Sequence, residues 1–396
     1  MARTATLTLD RRTAKAVLDG HPWIWPDVLD GRAPPPAGAE VELVDTLGNT
    51  LGRALSDGRD TPGAPALRVL TLDPRDPPLR TLLFRRIARA RALRERMLDL
   101  DTTTAFRLLN GEGDELPGLV VDRFGPVAVV RPDTPAWIRH ERAVVDALRA
   151  EGGAGLKTIL IRPKGEDARL LFGPVPDEVV IVQEEGRRYQ IRPGYGQKTG
   201  FFLDQRDNRS AVQRLVQPGD RALDLFSFTG GFSVALAVGG ASHVTSVDLS
   251  APILDDVRGQ MRLNHIGPER HEAVAADIFT WLPAQSKRQG PRFDVVVCDP
   301  PALSRKKADL PNARKAYQRL HEFIAPVIAP GGLLVTASCT ARLSADDLLE
   351  DAVAGLGRGG RRVTRELRRA GAGADHPVPP ALPQLRYLSC LVLALD

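Results

Sequence analysis

The run Ala222-Leu223-Asp224-Leu225-Phe226-Ser227-Phe228-Thr229-Gly230-Gly231-Phe232 reads as a β-strand, a tight turn and the start of a helix, the place where α/β sheets bind nucleotides. It is not the G-x-G-x-x-G pattern whose glycines let backbone N–H groups approach a pyrophosphate. An acid stands at the strand end instead. Asp224 would repel a phosphate but suits a cationic cofactor without one, and S-adenosylmethionine, with its sulfonium and α-ammonium groups, has that character. The next strand ends in Asp248, placed for ribose hydroxyls, and Asp277 with Ile278 follows a third strand, where an adenine amine could be held. Each acid alone could equally cap a helix or face solvent. Three at successive strand ends point to a methyltransferase-type site, with Asp224, Phe226, Ser227, Thr229, Gly230, Asp248, Asp277 and Ile278 as cofactor-binding positions.

A fourth strand leads into Cys298-Asp299-Pro300-Pro301-Ala302-Leu303. A D-P-P turn there places backbone carbonyls and the Asp299 carboxylate beside a transferred methyl. Amino methyltransferases carry an aromatic at the fourth position of the turn to stack on the target base, and this chain has Ala302. Beyond the fifth strand, Ala337-Ser338-Cys339-Thr340 puts Cys339 at the same carboxyl edge of the sheet. A thiolate there can attack C6 of a pyrimidine and make C5 enamine-like, able to accept a methyl group. A base then removes the C5 proton and the thiol leaves. Cys339 and Asp299 are therefore the candidate catalytic residues. Cys298 and Cys390 lie inside apolar strands and read as small core residues.

These positions need a doubly wound parallel sheet, and from Gly219 onward the chain alternates short β-rich runs with helices as such a sheet requires. Strands are expected at 221–226, 244–248, 272–275, 293–298 and 333–337, with a final pair near 363–368 and 386–394, seven in all. Before them, residues 1–74 read as a small β-barrel cut by turns at Leu47-Gly48-Asn49, Asp57-Gly58 and Thr61-Pro62-Gly63. Asp73-Pro74-Arg75-Asp76-Pro77-Pro78 has the composition of a stiff linker. A second α+β domain, 79–190, is expected to open with a helix over 79–100. Its apolar face holds Leu83, Ile87, Ala90 and Met97, and Arg80, Arg85, Arg86, Arg89, Arg91, Arg94 and Arg96 fill the other positions. That helix is either a solvated basic face or a phosphate-contacting surface. A hairpin is expected over 119–130, a helix over 140–150, and strands at 158–162 and 179–183.

A length of 396 residues exceeds the ~250–300 at which single cores stop growing, so several domains are required. Hydrophobic residues at 43% and charged residues at 26% exclude a disordered chain. No apolar run approaches the ~18 residues of a membrane span, and the start lacks a signal-peptide core, so a cytoplasmic protein without membrane association is expected. Fifty-four basic against 49 acidic residues leave +5, with arginine far outnumbering lysine; such usage is more often a coding bias of a GC-rich genome than a sign of phosphate or base binding. Three cysteines without C-x-x-C spacing, and histidines without H-x-H or H-E-x-x-H, suggest neither a disulfide framework nor a metal site.

Three further stretches are distinctive: Gly20-His21-Pro22-Trp23-Ile24-Trp25, Leu116-Pro117-Gly118-Leu119-Val120-Val121-Asp122-Arg123-Phe124-Gly125, and the run from Gln197-Lys198-Thr199-Gly200 through Phe201-Phe202-Leu203-Asp204-Gln205-Arg206-Asp207-Asn208-Arg209. With them the whole chain resembles the bacterial large-subunit (23S) rRNA cytosine-C5 methyltransferases. The resemblance implies an α/β protein: a PUA-like RNA-binding β-barrel (1–74), a central α+β domain (79–190), and a class I Rossmann-like methyltransferase domain with a seven-stranded sheet (191–396). It also implies S-adenosylmethionine as cofactor, large-subunit rRNA as partner, no metal, the nucleophile at Cys339, and a closing loop at Ala374-Asp375-His376-Pro377; a homodimer is compatible with it. Phe202, Gln205 and Arg206 would flank the methionine end of the cofactor. Asp375 and His376 would relay the C5 proton or simply form a loop salt link. Where relatives often carry Lys-Phe after the double proline, this chain has Ala302-Leu303. Trp23 and Trp25 could stack on RNA or fill the barrel, and Arg305, Lys306 and Lys307 could meet phosphates or solvent. The alternatives are an amino- or small-molecule methyltransferase and an RNA-binding protein without catalysis.

Overall fold

The computed structural model describes residues 5–58, 63–196, 199–288, 290–304, 307–340 and 342–396. The chain forms two units, one of residues 1–182, 191–200 and 374–385, the other of residues 183–190, 201–373 and 386–396. Among the described residues no helix is long and apolar enough to cross a membrane.

In the first unit, β1 (Ala5–Thr8), α1 (Arg11–Leu18), β2 (Trp23–Ile24), β3 (Glu40–Val44), β4 (Thr50–Ser56) and β5 (Leu67–Thr71) come first. Their sheet has the order β1-β3-β4-β5-β2, with β1 parallel to β3 and the other neighbours antiparallel. Alternation decides the inward face: Val41 and Leu43 are buried, while Glu40 and Glu42, which alternate with them, are half-exposed. The Trp23 indole N–H donates to Glu112 at 2.8 Å and its ring meets Trp25 edge-on at 5.8 Å. Glu112 also accepts from Arg68, which is paired with Asp57, which in turn accepts from the Thr134 hydroxyl. Trp23 is thus tied into a polar network within this unit.

The same unit continues with α2 (Leu79–Met97), β6 (Ala105–Asn110), β7 (Leu119–Phe124), β8 (Val127–Pro132), α3 (Ala136–Arg139), α4 (Glu141–Glu151), β9 (Thr158–Ile161) and β10 (Arg169–Phe172). The sheet order is β10-β9-β8-β7-β6, and only β8 and β9 are parallel, joined by the α4 crossover. Helix α2 departs from the expected pattern. Leu79 and Leu82 join its buried face, Met97 is 37% exposed, and Arg86 and Arg94 turn inward. Arg94 is fully buried in a forked pair with Asp114 at 2.5 and 2.7 Å. Four of the outward arginines have carboxylate neighbours: Arg80 with Asp146, Arg85 with Asp76, Arg89 with Glu115 and Arg91 with Glu95. The uncompensated positive charge of this helix is therefore smaller than its arginine count.

The segment Ala374-Asp375-His376-Pro377 is bonded to the α2–β6 region. The Arg107 amide donates to Asp375 Oδ2 (2.8 Å), Arg94 to the Asp375 carbonyl (2.8 Å), and Asn110 Nδ2 to the Pro377 carbonyl (2.9 Å). A Cβ at Gly113 would lie 1.9 Å from that last carbonyl oxygen, so only glycine permits the approach. Asp375 Oδ1 holds His376 Nδ1 at 2.8 Å, and the buried His376 Nε2 has no hydrogen-bond partner among the described residues.

Strands β11 (Val180–Glu184) and β12 (Arg187–Ile191) form a two-stranded ribbon. Its two turn residues, Glu185 and Gly186, both have positive φ, +48° and +82°, as a type I′ hairpin turn requires.

The second unit holds α5 (Arg206–Leu215), β13 (Arg221–Leu225), α6 (Gly231–Val238), β14 (His243–Asp248), α7 (Ala251–Leu263), β15 (His271–Ala275), α8 (Ile278–Ser286), β16 (Phe293–Cys298), α9 (Leu310–Ile324), β17 (Ile328–Ser338), α10 (Ala345–Arg358), β18 (Val363–Ala370) and β19 (Ser389–Leu395). The expected seven-stranded sheet is present, in the order β15-β14-β13-β16-β17-β19-β18. Its first five strands are parallel, and β19 runs antiparallel to both β17 and β18. The order reverses at β13, the switch point at which open α/β sheets bind ligands. Register levels the strand ends there: Asp224 lies opposite Ser246 and Val297, and Leu225 opposite Val247 and Cys298. The core packs Leu223, Leu225, Val296, Cys298, Leu334 and Leu391 of the strands against Leu320, Ile324 and Leu348 of the helices, each such leucine contributing roughly 1.5–3 kcal/mol.

Candidate active site

Strand β13 delivers Asp224 to the switch point, and the five residues after its end form a strained turn. Phe226, Phe228 and Gly230 have φ of +60°, +46° and +83°. Left-handed backbone is rare for aromatic residues and tends to persist where a site needs it. At Gly230 a Cβ would also lie 2.9 Å from Val257 Cγ1. The turn is anchored by Ser227 N donating to the Val247 carbonyl and Phe228 N donating to Asp248 Oδ2 at 3.0 Å. Two of its hydroxyls, Ser227 Oγ and Thr229 Oγ1, are buried without a hydrogen-bond partner among the described residues. Buried hydroxyls are seldom left so, and orphans beside a carboxylate-lined turn fit a ligand that brings polar atoms and positive charge. S-adenosylmethionine has both.

The acids hold distinct environments. Asp224 is 1% exposed and accepts from Ser233 Oγ at 2.5 Å, and Ser233 continues to Ser246 and His271. Burial pushes the Asp224 carboxyl up to about 7; the Ser233 hydrogen bond opposes this, and the charges of Asp299 and Asp248 add to it. Its carboxylate is thus bonded to α6 through Ser233. Asp248 is half-exposed and accepts from Phe228 N and Ser250 N, both at 3.0 Å. Asp277 is exposed and caps α8 by accepting from Thr280 N at 3.0 Å, and Ile278 is packed in the core.

The stretch 201–209 brings the second side of the site. Phe201 lies against Tyr189 and under the Arg209 guanidinium, and Phe202 meets Phe228 edge-on at 5.1 Å. Buried Gln205 donates to Asp299 Oδ2 at 3.0 Å and accepts from Asn208. Arg206 is buried with its Nε 2.9 Å from Asp207 Oδ1, and Arg209 forks onto the buried Glu184. The structure therefore joins Phe202 to the turn and Gln205 to Asp299. Gln197, Lys198, Arg305 and Lys306 lie outside the described residues, as does the side chain of Lys307. Asp375 and His376 belong to the first unit.

Cys339 follows the last residue of β17 and is partly exposed between two buried neighbours, Ser338 and Thr340. Cys298 and Cys390 are fully buried. Burial pushes both thiols up, that of Cys390 to about 12. The two loops at this edge are tied together, because Leu303 N donates to Thr340 Oγ1 at 3.1 Å. Ser233 and Tyr317, which hydrogen-bond to Asp224 and to the residues beside Cys339, carry no mark in the sequence. The hydroxyls flanking Cys339 are the one available signal.

A sequence profile for S-adenosylmethionine-dependent methyltransferases matches residues 150–357, and one for a PUA-like domain matches residues 7–59. The chain is 37% identical to a ribosomal RNA large subunit methyltransferase of Deinococcus radiodurans, over 96% of this chain and 95% of the other. It is 33% identical to the ribosomal RNA large subunit methyltransferase I of Cronobacter sakazakii, over 96% of this chain and 97% of the other. Among solved structures, a protein from Streptococcus mutans described as a SAM-dependent methyltransferase superposes with a TM-score of 0.83 at 21% identity, covering 98% of this chain and all (100%) of its own. Another, a methyltransferase complexed with SAH, gives 0.85 at 21% identity with the same coverage. These two show the shared fold.

Proposed function

The chain belongs to the S-adenosylmethionine-dependent methyltransferase family, and on that premise we propose that it methylates carbon 5 of a cytidine in large-subunit ribosomal RNA. S-adenosylmethionine is its cofactor and, when bound, supplies an electrophilic methyl group. The turn 226–230 with Asp248 and Asp277 would hold its adenosine. Phe202, Gln205 and Arg206 would lie at its methionine end, with the Asp224 charge behind the turn. Cys339 adds through its sulfur to C6 of the base, which leaves C5 electron-rich. C5 takes the methyl group, loses its proton to a base, and the C6–S bond breaks to return the thiol. Asp299, held by Gln205, orients the base edge and assists proton transfer. Reaching the pocket requires the target base to leave its stack. Residues 1–74, the central stretch 79–190 and the methyltransferase stretch 191–396 divide the work, the first two binding the RNA backbone.

The observation that carries this reading is the contrast among the three thiols. Two are buried inside strands, while Cys339 is partly exposed at the sheet's carboxyl edge, on a loop hydrogen-bonded to the one that follows Asp299. The test is to incubate unmethylated large-subunit rRNA with isotope-labelled S-adenosylmethionine and identify the labelled nucleoside by mass spectrometry. 5-Methylcytidine is expected, lost in Cys339→Ala and kept in Cys298→Ala. A nucleoside methylated on nitrogen, or 5-methylcytidine formed by Cys339→Ala, would overturn the proposal.

A further inference from the structure

Helix α9 faces the sheet with Ala313, Tyr317, Leu320 and Ile324, all buried, at the spacing of one helical face. Tyr317 is the polar member, and a buried phenol requires a hydrogen-bond partner. It finds two, Ser338 Oγ at 2.8 Å and Thr340 Oγ1 at 3.2 Å, the hydroxyls on either side of Cys339. Ser338 Oγ also accepts from Thr340 N at 3.1 Å, and Thr340 Oγ1 accepts from Leu303 N at 3.1 Å. The protons can be assigned throughout. Tyr317 donates its single proton to Ser338, so Thr340 is the donor toward the Tyr317 oxygen, and its own oxygen receives the Leu303 N–H. Burial raises the phenol well above its ordinary range, so it keeps that proton at working pH.

This network closes on two loops at once. It fixes the residues before and after Cys339, leaving the thiol at a partly exposed position between two clamped neighbours. It also fixes the main chain after Asp299-Pro300-Pro301 by the Leu303 amide, whatever side chain stands at Ala302. We propose that Tyr317 and Thr340 are positioning residues for the reaction at Cys339, holding the thiol loop against the Asp299 loop through hydroxyl groups that touch no substrate. The inference rests on Cys339 being the nucleophile. In this arrangement the loop is set from the Thr340 side, through the Leu303 amide, and not by the side chain at Ala302.

The test uses the full-length protein with Thr340→Val, Thr340→Ser, Tyr317→Phe, the double variant Tyr317→Phe/Thr340→Val, and Cys339→Ala. Single-turnover methylation of rRNA, S-adenosylmethionine affinity and melting temperature are measured for each. A displacement of about 1 Å in a reacting group costs on the order of 10²-fold. Thr340→Val, which has the shape of threonine without its hydroxyl, should slow methyl transfer by about 10- to 100-fold with cofactor affinity within about twofold of wild type. Thr340→Ser should recover most of the rate. Tyr317→Phe should slow it by about tenfold, and the double variant should be little worse than Thr340→Val because both changes break one network. Rates within twofold of wild type for Thr340→Val and Tyr317→Phe would overturn the inference. So would equal impairment of Thr340→Ser and Thr340→Val, or a rate loss matched by lost cofactor binding. If Thr340→Val does not fold, Tyr317→Phe decides alone by the same criteria. Full methylation by Cys339→Ala would instead refute the nucleophile. An inactive Cys339→Ala beside unimpaired Thr340→Val and Tyr317→Phe would refute this inference only.

Discussion

Chemically similar residues at this site are made unlike by their surroundings. Burial, with the charges of Asp299 and Asp248 adding to it, pushes the carboxyl of the fully buried Asp224 up to about 7. A carboxyl that keeps its proton longer in the folded chain than in the unfolded one destabilises the fold as pH rises. From about pH 4 the unfolded chain loses this proton first, and the cost grows until the folded carboxyl ionises near 7. In thermal melts without cofactor, Asp224→Asn should therefore gain stability relative to wild type between about pH 4 and 7 and gain no more above that. S-adenosylmethionine, whose cationic groups favour the carboxylate, should narrow the gap. A difference independent of pH would contradict this account. The thiols diverge in the same way. Cys298→Ala should methylate at the wild-type rate while losing about 1–2 kcal/mol of stability in urea titrations, whereas Cys339→Ala should fold normally and be inactive.

At the scale of elements, the methyltransferase sheet was largely legible. Strand β16 spans the expected 293–298, a largely apolar run with five of its six residues buried, and β13, β14 and β15 begin or end within a residue of expectation. Strand β17 starts five residues early, at Ile328. Its Ala329-Pro330-Gly331-Gly332 has turn composition, yet it is carried in the strand by a register shift opposite Phe293–Val295. Among the candidate site residues, Asp248 was proposed from local pattern, at the end of a strand, whereas Phe202 and Gln205 came only from the family resemblance. The Gln205–Asp299 and Tyr317–Thr340 bonds could not be read from local pattern, because their partners are 94 and 23 residues apart and nothing local marks them. Helix α2 misled for the same reason: an arginine reads as solvent-facing until the distant Asp114 is known. The Arg94–Asp114 pair supports a prediction. Arg94→Ala should cost about 3–5 kcal/mol in urea unfolding by stranding a buried carboxylate. Arg94→Met with Asp114→Leu should cost clearly less than the sum of the single changes. Additive losses would show the two charges to be uncoupled.

At the scale of the whole molecule, a net charge of +5 is modest for an RNA enzyme, and several arginines of α2 already have acidic partners. On the proposed function, affinity for rRNA would come from phosphate contacts of arginine side chains. Binding of rRNA should weaken by on the order of tenfold or more between 50 and 200 mM salt as condensed counterions compete. Binding of S-adenosylmethionine, held by short-range polar contacts, should change little over that range. Filter binding and calorimetry would check the two. An rRNA affinity that does not respond to salt would contradict a phosphate-based interface.

The central claim, that Cys339 forms a covalent bond to the base, is tested most directly by trapping it. RNA carrying 5-fluorocytidine at the target is incubated with S-adenosylmethionine and wild-type protein, Cys339→Ala or Cys298→Ala, then resolved by denaturing electrophoresis. Fluorine cannot leave C5 as a proton does, so the adduct should persist. A protein–RNA species formed by wild type and Cys298→Ala and absent from Cys339→Ala is the predicted result. No adduct from wild type that methylates ordinary RNA under the same conditions, or an adduct that survives Cys339→Ala, would contradict the account.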